Sequence, residues 1–276
     1  LPRYVIVAGG GGRVLLIEQI RQVKGALMII QQPNGNYTFI KSTGPFSSGC
    51  RAQPGYEIVY ATFHPLPPLE KGYDLIARHL QDLARPIQAL CGMELRIPRP
   101  LSPQGFAEFN EPYGKRLADW NILVDGLNPT ARTNVALTVH PVAEPSMYGF
   151  SYTVPTDHDR PTFVLSGAAE IRRSEKGSEI VSHGDVSTQG LRQKAQYILQ
   201  TLESRLQELT VAWTDVTTVE LYTVHNMHPL LETVLLPGVA SGSQHGLRWH
   251  YARPPVTEVE CEMGARGVYQ ECVLPS

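Results

Sequence analysis

Thr162-Phe163-Val164-Leu165-Ser166-Gly167-Ala168 opens the stretch whose reading decides the fold. Its apolar run predicts a short strand that ends in Ser166-Gly167. His183-Gly184-Asp185 then leads into an amphipathic helix over 188–209. A strand over 216–224, a short helix over 229–236 and two closing strands over 247–252 and 256–263 follow. The same order stands upstream: strand 57–63, helix 69–90, strand 94–97, helix 105–120, strand 133–139 and strand 147–154. Matching elements start roughly 105 to 125 residues apart, and self-similarity of that kind implies two units of one fold. A duplicated unit has a functional consequence: the site is shared between the copies or kept in one of them.

The long helices carry the pattern most clearly. Ile76, Leu80, Leu83, Ile87 and Leu90 follow at helical steps in the first copy, and Leu191, Ala195, Ile198, Leu202, Leu206 and Leu209 in the second. Pro86 should kink the first helix or end its leading part, because it offers no N–H and its ring crowds the preceding turn. Ser187 or Thr188 can cap the second through a side-chain oxygen. A helix apolar on one side only must lie on a sheet. In the strand over 216–224, Val219, Leu221 and Thr223 face one way and Thr218, Glu220 and Tyr222 the other, the alternation of a half-buried mixed or antiparallel sheet. The expected architecture is α+β: two fused domains, each a mixed sheet with two helices packed on one face. The bare sheet face of each copy would be covered by the other. Pro141, Pro145, Pro155 and Pro161 stiffen the segment 141–161, which places the domains at 1–155 and 156–276. The first carries an N-terminal hairpin extension, since Pro33-Asn34-Gly35-Asn36 between apolar runs 26–32 and 37–40 is a strong hairpin signal. Gly9–Gly12 reads as a turn, because no Lys-Ser/Thr follows it as a phosphate loop requires.

Composition narrows the function. The 276 residues are 42% apolar and 18% charged, with a formal net charge of −2, a globular balance without the basic runs that nucleic acid requires. No apolar stretch approaches the roughly 20 residues of a membrane span. The chain starts Leu1-Pro2-Arg3-Tyr4, with no signal-peptide core and no initiator Met, which fits trimming or processing. Of Cys50, Cys91, Cys261 and Cys272, none forms a CxxC pair. Cys91 and Cys261 read as buried free thiols, and a reducing cytoplasmic compartment is the expectation.

Several segments resemble the Rid (YjgF, L-PSP) superfamily. They are Ser166-Gly167, Gly184-Asp185 with Gln189, the strand 219–224 and Val259-Glu260-Cys261-Glu262, which is similar to a closing V-E-x-E strand. In the first copy Pro129-Thr130-Ala131-Arg132-Thr133 is similar to a P-A-R-[ST] segment. The resemblance covers residues 55–270. It implies domains with a chorismate-mutase-like fold, which trimerise as single units and hydrolyse enamines or imines of amino acids without a cofactor. It also implies Glu260 as the residue that directs water or a proton. The carboxylate-binding Arg would be Arg132 or, with a shortened loop, Arg248. Within this superfamily the tandem organisation resembles the chorismatases, in which the first half is degenerate. There an Arg shortly precedes V-E-x-E, as Arg253 precedes Glu260, and a linker resembles Tyr152, Pro155, Arg160, Pro161 and Phe163. This chain departs from them in having Val256-Thr257-Glu258 where an aliphatic run is expected, and in being shorter.

The expected catalytic pair is Glu260 with Arg253. A carboxyl in a partly desolvated cleft has its pKa raised and can pass a proton, and a guanidinium can grip a carboxylate through two parallel hydrogen bonds. Glu258, Glu260 and Glu262 share one parity, so periodicity leaves open which of them acts. Arg248, Arg132, Arg160, Tyr152 and Tyr251 are the substrate-binding candidates. Tyr148 could also reach the cleft. His225 and His228 have a two-ligand spacing but no visible third ligand, so no metal is expected. The leading expectation is a chorismatase-like enzyme that cleaves an enol ether and releases pyruvate. The alternatives are an enamine/imine deaminase that releases ammonia and a non-catalytic binding protein. The partner is a small carboxylated substrate, neither nucleic acid nor membrane. The fused chain would stand as a monomer or as a trimer of fused chains.

Overall fold

The computed structural model describes residues 29–42, 44–174 and 177–276. The glycine turn at 9–12 lies outside the described residues. The first half forms strands β1 (Ile29–Gln32), β2 (Tyr37–Ile40), β3 (Gly49–Ala52) and β4 (Tyr56–His64). Helix α1 (Leu69–Asp82), strand β5 (Leu90–Ile97), helix α2 (Pro103–Asp119) and strands β6 (Ala131–Leu137) and β7 (Ser146–Pro155) follow. The second half forms β8 (Phe163–Leu165), β9 (Ala168–Ala169), β10 (Ile171–Ser174), β11 (Gly177–Ile180) and helix α3 (Thr188–Glu208). It ends with β12 (Thr218–Tyr222), β13 (Arg248–His250), β14 (Ala252–Arg253), β15 (Glu262–Gly267) and β16 (Gln270–Pro275).

Local rules explain the elements. β1 and β2 make the expected hairpin, and Asn36 takes the left-handed conformation that its turn requires, with φ 59°. Helix α1 stops at Asp82, before Pro86, so Leu90 and Cys91 belong to β5 rather than to the long helix expected over 69–90. Ser187 caps α3, its hydroxyl accepting from the Gly190 N–H at 3.2 Å.

Two large mixed sheets result, in the orders β1-β2-β3-β8-β15-β12-β13 (with β9 also paired to β15) and β14-β6-β5-β7-β4-β16. They correct the expectation of one self-contained sheet per copy, because each takes edge strands from the other half of the chain. β3 pairs antiparallel with β8, Gly49 opposite Leu165. β16 runs parallel to β4 from Gln270 opposite Val59 to Pro275 opposite His64. The cut at 155 therefore separates sequence halves, while the hydrogen bonds cross it.

Helices α1 and α2 cover the outer face of the second sheet through Tyr73, Ile76, Leu80, Tyr113 and Leu117. The first sheet is covered by α3 and by the irregular helical run 228–245, through Leu191, Ile198, Leu202, Leu230 and Leu235. The inner faces meet at Tyr37, Phe39, Cys50, Ile58, Tyr60 and Cys91. Val219 and Leu221 pack under α3 as the alternation predicts. The opposite face of β12 is covered as well: Thr218, Glu220 and Tyr222 are buried toward the second sheet. Arg266 Nη1 lies 3.1 Å from Glu220 Oε2, and the Tyr222 hydroxyl donates to the same oxygen at 2.8 Å. A polar layer inside the sandwich stays affordable only because its charges are paired.

Candidate active site

The site starts from a lysine in an apolar stripe. Lys194 sits on α3 between Leu191, Ala195 and Ile198, and its side chain is fully buried. A buried ammonium needs an anion and acceptors. Glu170, between β9 and β10 and equally buried, supplies Oε1 at 3.4 Å. The Val181 carbonyl accepts from Lys194 Nζ at 2.9 Å. The Glu170 carboxylate also accepts from the backbone N–H groups of Glu260, at 2.7 Å, and of Cys261, at 3.1 Å. Burial raises the Glu170 pKa, against the pull of these donors and of Lys194.

This clamp corrects the expected closing strand. β15 begins at Glu262; Val256 makes only an isolated bridge to Leu101, and residues 257–261 form a turn and coil in which Glu258 takes a φ of 70°. Glu258, Glu260 and Glu262 therefore do not share one strand face. Glu258 pairs at the surface with His183, at 3.6 Å. Glu260 is fixed at its carbonyl by the Thr223 hydroxyl, which donates at 2.8 Å. Its Oε2 lies 2.6 Å from His225 Nε2 and 3.1 Å from Arg253 Nη1. His225 is held in turn by its backbone N–H, which donates to Thr223 Oγ1 at 3.2 Å. Burial pushes the Glu260 carboxyl up. The His225 hydrogen bond and the charges of His225 and Arg253 outweigh it and hold the pKa below the usual value. That favours the carboxylate form of Glu260 at neutral pH, the form suited to the water-directing one of its two expected roles. Beside it a cavity of about 410 Å³ is lined by Val224, His225, Asn226, His228, Trp249 and Tyr251.

The other candidates separate. Tyr251 is exposed and shares the His225 cavity. Arg248 lies on the edge strand β13 and pairs with Glu271 at 3.5 Å, away from Glu260. Arg132 is buried in an aromatic box: its guanidinium lies 4.0 Å from the Tyr113 ring centroid and its Nε donates to Asn134 Oδ1 at 3.0 Å. Arg160 lies over the Tyr269 ring at 5.4 Å. Tyr152 is a packing residue beneath α1, stacked on Phe150 at 5.3 Å. Tyr148 stacks on Arg96 at 3.6 Å in the inter-sheet layer. His225 bonds Glu260, whereas His228 Nδ1 meets Asn226 Oδ1 at 2.9 Å. Sequence reasoning missed Glu170 and Lys194. The available signal was a lysine on the buried stripe of α3.

Gly167 is a required glycine. A Cβ there would overlap the Glu262 carboxylate, so Gly167→Ala forces a buried side chain or the β8–β9 break to move. The expected cost is about 1–3 kcal/mol by urea denaturation, and an unchanged midpoint would show that Glu262 is free to swing away.

A family model described as 2-aminomuconate deaminase CnbZ matches residues 29–272. The chain belongs to that family. The 2-amino-5-chloromuconate deaminase of Comamonas testosteroni is 40% identical over 245 residues, which cover 87% of this chain and 96% of that protein. Among solved structures, a chorismatase aligns with a TM-score of 0.49 at 13% identity, covering 84% of this chain and 81% of that one. A cyanuric acid hydrolase aligns with a TM-score of 0.36 at 9% identity, covering 79% and 69%. At those scores neither decides the fold. The chorismatase-like, pyruvate-releasing reading is overturned by the CnbZ match and the 40% identical deaminase. In a CnbZ-family enzyme the chemistry to account for is the loss of an amino group, the deaminase alternative that the same Glu and Arg already carried.

Proposed function

We propose that this CnbZ-family chain hydrolyses a conjugated 2-amino dicarboxylate of the 2-aminomuconate class and releases ammonia. Such a substrate is an enamine whose imine tautomer has an electrophilic carbon beside a carboxylate. The observation that supports the reading is the Glu260 carboxylate held between His225 and Arg253 beside a cavity walled by Trp249 and Tyr251. Arg253 is the half-exposed member, at 43% side-chain exposure, and one N–H bond to Glu260 leaves other donors of its planar fork for a substrate carboxylate. The His225–Glu260 pair takes a proton from water as the water oxygen bonds to the imine carbon. That proton is delivered to nitrogen, giving the neutral carbinolamine; the pair then takes the carbinolamine hydroxyl proton and passes it to nitrogen as the C–N bond breaks, leaving a carbonyl and ammonia. No cofactor is needed, because the imine is itself the electron sink. The tandem Rid-like ancestry, with halves meeting near 155, belongs to the same proposal. It accounts for an acid at 260 and none in the matching strand Met147-Tyr148-Gly149-Phe150.

Arg253→Met tests the anchoring role. With ammonium release from 2-aminomuconate as the readout, KM is expected to rise about tenfold or more with a smaller change in kcat, the pattern of lost substrate binding. An equal fall in kcat and kcat/KM at unchanged KM would assign Arg253 to the transition state alone.

A further inference from the structure

A second cavity, of about 410 Å³, is walled in part by the 254–259 loop and shares no lining residue with the one at His225. Among its walls are Phe46, Phe106, Tyr197, Gly167, Arg205 and Glu262. Glu262 is only 5% exposed. Among the described residues no hydrogen bond reaches its carboxyl and no cation lies within ion-pair distance of it. Buried polar groups are normally partnered, so an unpartnered acid lining a cavity is unusual. The chain makes room for it by placing glycine at 167, where any Cβ would overlap the carboxyl. Arg205 comes from α3 and donates through Nη1 to the Ser166 carbonyl at 2.6 Å. That bond uses one of the five N–H donors of a guanidinium.

We propose that this cavity is a second anion site, which binds a small planar carboxylate between the Arg205 guanidinium and the unpaired Glu262 carboxyl, flanked by Phe46, Phe106 and Tyr197. A carboxylic acid and a guanidinium can each donate to one ligand carboxylate, and ring faces suit a conjugated ligand. The charged groups around Glu262 are Arg205 on α3, Glu170 before β10, Glu94 and Arg96 on β5, and, lining the same cavity, Arg173 on β10. Burial raises the Glu262 pKa, Arg205 and Arg96 lower it, Glu170 and Glu94 raise it, and the result is about 8. Burial brings Arg205 down to about 10, so it stays charged at neutral pH. Glu262 is therefore a hydrogen-bond donor at neutral pH, and it becomes an anion that repels the ligand as the pH rises past its pKa. The site stands whether or not the reaction proposed above is correct, since neither Glu260 nor His225 lines it.

The test is calorimetric titration with sorbate, a planar unsaturated carboxylate that has no amino group to lose. Wild-type affinity is expected to fall at least about tenfold between about pH 6.5 and about pH 9.5, since each pH unit above the pKa weakens binding tenfold. Glu262→Gln keeps a donor and the side chain's size, so it should bind at both pH values with little difference. Arg205→Met should lose at least tenfold in the pH-dependent binding, whereas Arg253→Met, at the substrate site, should leave that pH-dependent binding in place. Because Arg205→Met also removes the bond to Ser166, the pH series of the wild type and of Glu262→Gln decides if that variant does not fold. Sorbate that binds equally at both pH values, keeps its pH dependence in Glu262→Gln, loses its pH-dependent binding in Arg253→Met, or does not bind overturns the proposal.

Discussion

Glu260→Gln is expected to lower kcat for ammonium release from 2-aminomuconate by about 10²–10⁴-fold, the span that a positioned acid–base group contributes. The amide keeps the size of the side chain and can still accept from Arg253, but it has no charge. His225, whose Nε2 lies 2.6 Å from Oε2, then loses the anion that supports its ring when the other ring nitrogen takes a proton from water. The backbone at 260 should not move, because Glu170 and Thr223 hold its N–H and carbonyl and neither contact uses the Glu260 side chain. Loss of activity should therefore come with an essentially unchanged unfolding curve, measured by circular dichroism beside the kinetics. Turnover near the wild-type rate would remove Glu260 from the chemistry. His225→Ala should give a fall of similar size, and the double variant little more, since the two groups act as one unit.

Lys194→Met should be the most destabilising substitution at the site, costing about 3–5 kcal/mol in urea denaturation, because it leaves Glu170 as a buried charge without its cation. Both side chains are at 0% exposure, so water cannot take over the partnership. Glu170 is then expected to take up a proton, which weakens its acceptance from the N–H groups of Glu260 and Cys261 and loosens the segment that carries the active carboxylate. Activity should fall along with stability. Lys194→Met combined with Glu170→Gln should recover part of the stability, since it removes the lone charge. A cost below about 1 kcal/mol for the single variant would mean that the pair is hydrated in solution.

The parts of the fold set by local pattern were legible. The apolar steps of α1 and α3, the stop before Pro86, the Asn36 turn and the alternation of Val219 and Leu221 each have a short-range cause. Strand exchange between the halves was not legible, because Gly49–Ala52 and Gln270–Pro275 find partners more than 100 residues away. Nothing within a strand names its distant neighbour. The closing strand was misread for a related reason. Val259, Cys261 and Met263 alternate with Glu260 and Glu262 as a strand would, but the Glu170 carboxylate takes the N–H groups at 260 and 261. The resemblance to chorismatases joined Arg253 to Glu260, and the two side chains lie 3.1 Å apart. Residue types and spacing could not show that Arg132 and Tyr152 are enclosed by packing, or that His225, noticed only for its spacing to His228, lies 2.6 Å from the Glu260 carboxylate. Nor did sequence show that Glu260 is the ionised acid and Glu262 the one pushed up to about 8.

The most direct measurement is the quantity of ammonium formed per 2-aminomuconate consumed, by wild type and by Glu260→Gln, without added cofactor. Hydrolytic deamination at the His225–Glu260 pair predicts one ammonium per substrate from the wild type and almost none from the variant over the same time. Consumption of substrate without ammonium, or equal release by the two proteins, would contradict it.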